Sequence, residues 1–263
     1  MVFPEYMKYN KLVFDIGMHV GQDTMHYLKQ GYKVIAVEAN PILVENNKKK
    51  FSKYISSGDL IICNVGIADK EAVLPFYKNL RLSEWSSFDK ALGSRNGTAF
   101  EEIAVPCVTT KSLFEKYGIP YYMKVDIEGY DYLCLLDIPV QGEKPQYVSC
   151  EASDISWLEI LRSKGYTKFK LLSQGDDYTP IDLNKEKKKY YPKYLIIKNG
   201  IKLRLQKLLT FKHNFGSSGP FGEATKGAWK SYEEVHKLYL EFSTGNNGHA
   251  LNQVSWFDFH ATF

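Results

Sequence analysis

Three groups of residues in this sequence have the types and spacing to bind a nucleoside and perform chemistry on a ligand. The first is the stretch 13–24, in which an apolar run meets Asp15 and is followed by Gly17 and Gly21. Glycines are expected there because the backbone must turn sharply and admit a ligand without a Cβ in the way. Glu38 follows the next apolar run about twenty residues later, where an acid can hydrogen-bond a ribose hydroxyl.

The spacing of these glycines separates two kinds of nucleoside cofactor. The dinucleotide pattern G-x-G-x-x-G brings the backbone against a pyrophosphate, whereas this chain has D-x-G-x-x-x-G, with Met18 and His19 after the first glycine. No lysine or arginine lies between Leu12 and Tyr27 to neutralise phosphates. The sequence therefore favours a cationic cofactor with an amino acid end, S-adenosyl-L-methionine. The missing third glycine counts against an NAD-linked oxidoreductase.

A second and a third group of acids lie in the middle of the chain. Asp126 and Glu128 follow an apolar run that predicts a strand, and Glu151 ends the next such run. The carboxyl ends of parallel strands meet at one edge of a sheet, where such folds bind their ligands. These acids suit a general base that takes a proton from a hydroxyl. Their oxygens equally suit a hard divalent cation such as Mg²⁺, and the sequence leaves both interpretations open.

The elements that must position these residues follow a βα rhythm. Short apolar runs that begin near residues 12, 33, 60, 121 and 146 predict strands, and capped or amphipathic segments between them predict helices. We therefore predict an α/β, Rossmann-like, mostly parallel sheet with helices on both faces. Residues 66–108 leave this rhythm and predict a hairpin whose connection carries Trp85 and Ser86. Loops at strand ends often bind ligands, so these two residues are candidates for substrate contact.

The chain has room for more than this sheet. We assign residues 1–199 to the cofactor-binding catalytic domain and residues 200–263 to a C-terminal extension that packs on it as a lid or substrate-side elaboration. The aromatic content of the extension argues that it folds back on the domain. Its residues His213 and His260 are further candidates for substrate binding.

Composition excludes several classes of protein. The mild net charge of +4 over 263 residues argues against a nucleic-acid partner, which would require a basic stripe. Hydrophobic residues make up 44% and charged residues 24% of the chain, as in ordinary globular proteins. The four cysteines form no C-x-x-C pair, and no apolar run approaches the ~18 residues of a transmembrane helix. No signal peptide is evident, so we expect a cytoplasmic protein with reduced thiols.

With these residues together, the chain resembles the FkbM family of S-adenosylmethionine-dependent methyltransferases. The resemblance covers roughly residues 12–198 and is carried by FDIGMHVGQDT (14–24), VEANP (37–41), NVGIADKEAVLPFY (64–77) and KVDIEGYD (124–131). It implies a class I methyltransferase fold with a seven-stranded sheet. Members mostly methylate hydroxyl oxygens, often on sugars of glycans, so the implied acceptor is a sugar or glycan. Many members have Ala-Asn or a similar pair where this chain has Met18-His19.

The candidate site residues divide by role. The predicted cofactor contacts are Asp15, Gly17, Met18, Gly21, Glu38, Ala39, Asn64, Val65 and Asp126. Among these, the glycine loop is assigned to the methionine end, Glu38 to the ribose and Asn64 to the adenine side. The predicted catalytic residues are Asp126, Glu128 and His19. The predicted substrate contacts are Trp85, Ser86, Glu151, His213 and His260, and the candidate metal ligands are Asp126, Glu128 and Glu151.

Other functions remain as alternatives to sugar methylation. The acceptor can instead be a non-sugar small molecule or a lipid, because the residues that choose the acceptor are not fixed by the cofactor motif. A glycan-binding module without activity is the remaining alternative, and the intact cofactor loop and clustered acids count against it.

Overall fold

The computed structural model describes residues 11–174, 179–181, 219–244 and 257–263, and it confirms the predicted α/β architecture. The strands are β1 (Leu12–Ile16), β2 (Lys33–Val37), β3 (Leu60–Cys63), β4 (Gly66–Ile67), β5 (Ala72–Asn79), β6 (Phe100–Val108), β7 (Tyr122–Val125), β8 (Tyr147–Glu151), β9 (Lys168–Ser173), β10 (Thr179–Pro180) and β11 (Phe257–Thr262). The α-helices are α1 (Gln22–Lys29), α2 (Pro41–Lys50), α3 (Ser52–Ser56), α4 (Lys90–Gly93), α5 (Thr110–Tyr117), α6 (Asp131–Leu136), α7 (Ile155–Ser163) and α8 (Tyr232–Thr244).

The described residues form one large and one small sheet. The large sheet has eight strands in the order β3-β2-β1-β7-β8-β11-β9-β10, and its first five strands run parallel to one another. The predicted mostly parallel sheet is confirmed, but the predicted number of seven strands is wrong. The additional strand is the two-residue β10, which pairs antiparallel with β9 and is too short to leave a periodic signal in the sequence.

The end of the chain lies inside the large sheet. Strand β11 runs antiparallel between β8 and β9, and all six of its residues are buried. Residues 257–262 are thus an integral strand, which corrects the prediction that the whole extension packs on the domain from outside. The reason is that Phe257, Phe259 and Ala261 alternate with polar residues and enter the core of the sheet. The proposed boundary at residue 199 lies outside the described residues and stays a prediction.

Helices cover both faces of the large sheet, as predicted. On one face, strand residues such as Phe14, Met123 and Phe259 pack against α5, α6, α7 and α8. On the other face, Val13 and Tyr122 pack against α1 and the ring of Phe221. Each fully buried large side chain contributes roughly 1.5–3 kcal/mol of hydrophobic free energy, so the two layers together hold the strand ends in fixed positions.

The small sheet has the order β4-β6-β5 and contains the hairpin expected from residues 66–108. Strands β5 and β6 pair antiparallel from Ala72 opposite Cys107 to Asn79 opposite Phe100. The connection between them, residues 80–99, folds around the buried side chain of Asn79. Its amide donates to Gly93 O at 2.8 Å, and its Oδ1 accepts from the backbone nitrogens of Arg81 and Leu82 at 3.0 and 2.9 Å. The Asn79 side chain therefore joins the start of this long connection to its later part.

In the part of the chain that the structure describes, no helix combines the length and the apolar character that crossing a bilayer requires.

Candidate active site

A cavity of about 360 Å³ opens at the carboxyl ends of β1, β2, β7 and β8. Its size falls within the range of roughly 300–1,000 Å³ that is typical of small-molecule sites. The residues that line it are Gly17, His19, Val37, Glu38, Ala39, Val65, Gly66, Ile67, Phe76, Leu82, Ser83, Glu84, Trp85, Ser86, Phe88, Asp126, Ile127, Glu128, Glu151 and Gln174.

The structure brings most of the predicted site residues together in this cavity. Those that line it are Gly17, His19, Glu38, Ala39, Val65, Trp85, Ser86, Asp126, Glu128 and Glu151. Those that are described but do not line it are Asp15, Met18, Gly21, Asn64 and His260. The predicted substrate residue His213 lies outside the described residues.

The turn after β1, which contains Gly17, lines the cavity. The backbone nitrogens of Gly17 and Met18 both donate to Val37 O, at 3.0 and 2.9 Å, which joins the turn to the end of β2. Gly17 has a φ of 92°, and a Cβ placed on it would lie 1.8 Å from the carbonyl oxygen of Asp126. Glycine is required here because only a residue without a side chain allows these two loops to touch.

Glu38 is held in the cavity by two backbone donors. Its Oε1 accepts from Asn40 N and its Oε2 from His19 N, each at 2.8 Å. Burial raises the pKa of Glu38 to about 7, although these two hydrogen bonds oppose the shift. His19 reaches its position with a φ of 49°, so the turn itself aims its backbone nitrogen at the carboxylate.

A buried lysine lies directly beneath the glycine turn. Lys124 Nζ contacts the carboxylates of Asp15, Asp23 and Asp126 at 3.3, 3.4 and 3.4 Å, and it donates to Gly17 O at 3.1 Å. Burial works against its charge, but these carboxylates raise the pKa of Lys124 well above its usual range. The ammonium group is therefore charged, and it ties the first turn to the loop after β7.

Asp15 belongs to this buried layer, which corrects its prediction as a cofactor contact. Its side chain is fully buried and accepts a 2.5 Å hydrogen bond from Thr24 Oγ1. Side chains alternate between the two faces of a strand, so Asp15 faces Lys124, its neighbour in register on β7, and not the cavity.

Three other predicted cofactor contacts do not line the cavity and have structural contacts, and their contact with a cofactor stays a prediction. Met18 is buried in the core layer beside α1. Gly21 has a φ of 73°, and a Cβ there would lie 2.6 Å from the Phe51 ring. Asn64 donates to the carbonyl oxygens of Glu38 and Ala39 at 2.9 and 3.1 Å, so it supports the loop after β2 without lining the cavity.

His260 lies in the middle of β11, between Ser149 of β8 and Lys170 of β9. It is 1% exposed, and burial lowers its pKa to about 3. Substrate cannot reach a side chain enclosed in the sheet, so the prediction of substrate contact is wrong for His260. The sequence placed it in an exterior tail, whereas the tail enters the sheet.

The connection between β5 and β6 closes the cavity from the opposite side. Ser83 Oγ lies 2.8 Å from His19 Nε2, and Ser87 Oγ donates to Glu128 O at 2.8 Å. The guanidinium group of Arg95 pairs with the carboxylate of Glu128 and lies 5.2 Å from the Trp85 ring. The loop after β7 and the small-sheet connection are therefore locked together around Glu128.

The carboxyl groups of the cavity differ in their environments. Burial raises the pKa of Glu128 to about 7, although Arg95 lowers it, and the residue adopts a φ of 50°. Burial also raises the pKa of Glu151 well above its usual range, and Asp126 adds to this effect. Asp126 instead contacts the ammonium group of Lys124. A carboxyl with a pKa near 7 exchanges protons readily at neutral pH.

The acids do not form a metal site in the described part of the chain. No group of three or more His, Cys, Asp or Glu side chains there is placed to hold a metal ion. Asp126, Glu128 and Glu151 share the cavity, but two of them are engaged by Lys124 and Arg95. The residues present therefore do not fit the predicted Mg²⁺.

Sequence reasoning missed four polar residues of this site. Ser83, Glu84 and Gln174 line the cavity, and Arg95 pairs with Glu128. The position of Glu84 beside Trp85 was a usable signal, because the whole stretch 83–88 stands out from the βα rhythm. Arg95 and Gln174 offered no local signal, since each reaches the site through tertiary folding alone.

Acids predominate among the ionisable residues that line the cavity. Five carboxyl residues line it, and among the described lining residues there is no lysine or arginine, although Lys124 and Arg95 pair with two of the carboxyls from outside the lining. Such a cavity disfavours phosphate groups and favours a ligand with positive charge.

The sheet is Rossmann-like, and its cavity lies at the carboxyl ends of the parallel strands, where open α/β sheets bind their ligands. The sequence matches the family model described as the methyltransferase FkbM domain over residues 15–168, more than half of the chain. The chain belongs to the FkbM methyltransferase family, which confirms the predicted resemblance and the class I methyltransferase fold.

Several solved structures are similar to this chain at low sequence identity. Methyltransferase FkbM from Methylobacillus flagellatus KT is 16% identical, with a TM-score of 0.43, over 62% of this chain and 40% of that one. StiE O-MT is 12% identical, with a TM-score of 0.41, over 96% and 67%. Phosphoethanolamine N-methyltransferase 2 of Haemonchus contortus, in complex with S-adenosyl-L-methionine, is 10% identical, with a TM-score of 0.37, over 97% and 49%. This chain thus spans less than half the length of the FkbM structure. No curated protein matches the sequence.

Proposed function

We propose that this protein is an S-adenosyl-L-methionine-dependent O-methyltransferase that acts on a hydroxyl of a sugar in a glycan or glycoconjugate. The observation that carries the proposal is the acidic lining of the cavity. It agrees with membership of a methyltransferase family, because S-adenosyl-L-methionine carries a positive charge on its sulfur. Five carboxyl residues and no described basic residue line the cavity. This lining suits a sulfonium cation and does not suit the pyrophosphate of a dinucleotide.

The residues of the cavity fit the cofactor at three points. Gly17 lets the turn after β1 lie against the Asp126 carbonyl at the edge of the cavity, and Glu38 presents a fixed carboxyl group for ribose hydroxyls. Ile67, Phe76 and Phe88 supply an apolar surface for a base. When bound, S-adenosyl-L-methionine supplies an electrophilic methyl group on a positively charged sulfur.

The chain's own residues must hold the acceptor and remove its proton. Glu128 is the preferred base, because its carboxyl titrates at a pKa of about 7 and faces the cavity. With the cofactor bound, the Glu128 carboxylate would take the proton of the acceptor hydroxyl as the methyl group is transferred to that oxygen. Asp126, held by Lys124, is assigned to orientation within the cavity.

A sugar acceptor is supported by what surrounds these acids. The half-buried ring of Trp85 lies beside Arg95, which pairs with Glu128, and both Trp85 and Glu128 line the cavity. An aromatic surface next to hydrogen-bond acceptors suits the apolar face and the hydroxyls of a pyranose ring. The excess of carboxyl groups also favours a second candidate, an amine-bearing small molecule that would be methylated on nitrogen.

Binding and turnover measurements test the proposal separately. Calorimetric titration is expected to show binding of S-adenosylhomocysteine and none of NADH. Transfer of radiolabelled methyl groups is then measured with sugars and with primary amines as acceptors. If NADH bound and S-adenosylhomocysteine did not, the methyltransferase proposal would be wrong. Labelling of amines without sugars would replace the sugar acceptor by the second candidate.

The base assignment is tested by Glu128→Gln. We expect turnover to fall by about 10²–10⁴-fold, the range for loss of a general base, while S-adenosylhomocysteine still binds. Glu159→Gln, on the exposed face of α7, is the matched control and should keep full activity. An unchanged rate in Glu128→Gln would show that another group takes the proton, and Asp126→Asn and Glu151→Gln are then compared in the same assay.

A further inference from the structure

A second pocket lies at the opposite edge of the large sheet, at the amino ends of β2, β7 and β8. It has a volume of about 190 Å³. Its walls are the rings of Tyr32, Tyr121, Tyr147 and Phe221, and polar groups come from Gln30 and Glu223. We call this the aromatic pocket. It shares no residue with the cavity that contains Glu128.

The aromatic pocket is held open by fixed contacts. The Phe221 ring stacks on the buried Tyr122 ring at 3.9 Å and 12°. Tyr121 and Tyr147 stand nearly perpendicular, at 5.4 Å and 85°. Gly222 has a φ of 60°, and a Cβ there would lie 3.0 Å from the Tyr147 ring, so the backbone and ring are already in contact.

The segment that carries Phe221 is anchored at both ends. Gly219 N donates to Asp23 Oδ1 at 2.9 Å, and Tyr27 donates to Gly219 O at 3.2 Å. At the other end, Lys170 Nζ donates to Thr225 Oγ1 at 2.9 Å. Anchoring of this kind lowers the entropy cost of binding, because the walls are in place before a ligand arrives.

The polar groups point to a neutral ligand with many hydroxyls. Glu223 Oε1 accepts from Trp229 Nε1 at 2.8 Å and from Tyr147 at 3.5 Å. Among the described residues none donates to Oε2, which leaves an oriented acceptor at the rim. Gln30 adds an amide, which can both donate and accept.

A cationic ligand is disfavoured by Lys170. Its Nζ lies 4.3 Å from the centre of the Trp229 ring, which in turn stacks beside Tyr147 at 6.1 Å. The face of Trp229 is therefore already occupied by a positive charge, and a second cation would be repelled. The volume is below the roughly 300 Å³ at which ordinary ligand pockets begin, so it suits one ring rather than an oligosaccharide.

We propose that the aromatic pocket is a second carbohydrate-binding site, which takes a single pyranose ring of a glycan. The apolar face of the sugar packs on the tyrosine rings, and its hydroxyls bond Glu223 and Gln30. The site stands on its own contacts and does not depend on the methyl-transfer reaction.

Saturation-transfer NMR on the full chain tests this site with four probes: the methyl β-glycosides of glucose, galactose, mannose and N-acetylglucosamine. We expect at least one to bind with a Kd on the order of 1 mM. Glu223→Gln and Tyr121→Ala should each weaken binding about five- to tenfold, by loss of an acceptor or a stacking surface. Glu233→Gln on α8 and the exposed Tyr132→Ala on α6 are matched controls and should bind as the wild type does.

A variant of the other cavity shows which site the probes occupy. Trp85→Ala removes the ring proposed to hold a sugar in the cavity with Glu128, so the glycoside binding that remains in this variant should be the part that Glu223→Gln weakens. The proposal is overturned if Trp85→Ala abolishes binding while Glu223→Gln does not, since the sugars then bind only in the cavity with Glu128. It is also overturned if no glycoside binds, or if tetramethylammonium binds in their place. Titration with S-adenosylhomocysteine reports on the methyltransferase site independently.

Discussion

The two walls of the large cavity are built in different ways. The sheet wall, formed by Gly17, Glu38, Asp126 and Glu151, comes from the carboxyl ends of four parallel strands. The loop wall, formed by residues 82–88, belongs to the connection of the small sheet. The sheet wall rests on a buried ion cluster, whereas the loop wall is tied across the cavity by side-chain contacts at Ser83, Ser87 and Arg95.

We infer from this difference that the two walls bind different ligands. Groups fixed by a buried sheet suit a cofactor that never changes, and groups on a connection can vary with the acceptor. Changes in the sheet wall should therefore damage stability and cofactor binding, whereas changes in the loop wall should act on the acceptor and on the titration of Glu128.

The largest effect is expected from Lys124→Met. The substitution leaves Asp15, Asp23 and Asp126 without their shared cation in a buried layer. Removing one partner of a buried ion pair costs about 3–5 kcal/mol, which urea unfolding measures. Lys111→Met, whose exposed side chain pairs with Glu115, is the control and should change stability by less than about 0.5 kcal/mol. A loss of under about 1 kcal/mol in Lys124→Met would show that the ion cluster does not support the sheet wall.

Gly17→Ala should damage both stability and cofactor binding. Its Cβ would meet the Asp126 carbonyl at 1.8 Å, which forces the two loops apart. We expect turnover to fall by about 10²-fold, as for a site displaced by about 1 Å, together with weaker binding of S-adenosylhomocysteine. Gly31→Ala is a matched control, with a φ of 82° and nothing within 4 Å of the new Cβ. It should cost about 1–2 kcal/mol of stability and leave affinity unchanged. Equal affinities in the two variants would contradict the close approach of the two loops.

Arg95→Met should move the pH dependence of turnover. Arg95 lowers the pKa of Glu128, and burial raises it to about 7. Without Arg95 the pKa rises further, so less of the base is ionised at pH 7. The fall of kcat/KM on the acid side of its pH profile should therefore move to higher pH. Each rise of one unit in the pKa of Glu128 lowers the rate at pH 7 by up to about tenfold. The exposed Arg81→Met in the same connection should leave the acid side of the profile in place. If the acid side of the profile stays in place or moves to lower pH in Arg95→Met, then the group that titrates in kcat/KM is not Glu128.

The smallest effect is expected from Ser83→Ala. The change removes the 2.8 Å hydrogen bond to His19 and leaves the other contacts of the loop wall. A loss of about 0.5–1.5 kcal/mol should appear in KM for the acceptor, with affinity for S-adenosylhomocysteine unchanged. Ser163→Ala, exposed at the end of α7, is the control. If Ser83→Ala weakened binding of the cofactor more than binding of the acceptor, the two walls would not have separate functions.

Sequence alone predicted the sheet wall better than the loop wall. The positions of Gly17, Glu38, Asp126 and Glu151 follow from one rule, that the carboxyl ends of parallel strands share an edge. For the loop wall the sequence indicated only Trp85 and Ser86 in an excursion from the βα rhythm. Its ties to His19 and Glu128 join residues far apart in the chain, and no local pattern records such pairs.

The sequence by itself determined the parallel strands β1, β2, β7 and β8, the glycine turn and the cluster of acids at one edge. These features depend on local propensity and on a general property of parallel sheets. Tertiary structure alone decided that Asp15 faces Lys124, that β11 enters the sheet with His260 enclosed, and that Arg95 pairs with Glu128. Strand register and long-range pairing set these contacts, because a side chain's partner depends on which distant segment the fold brings beside it.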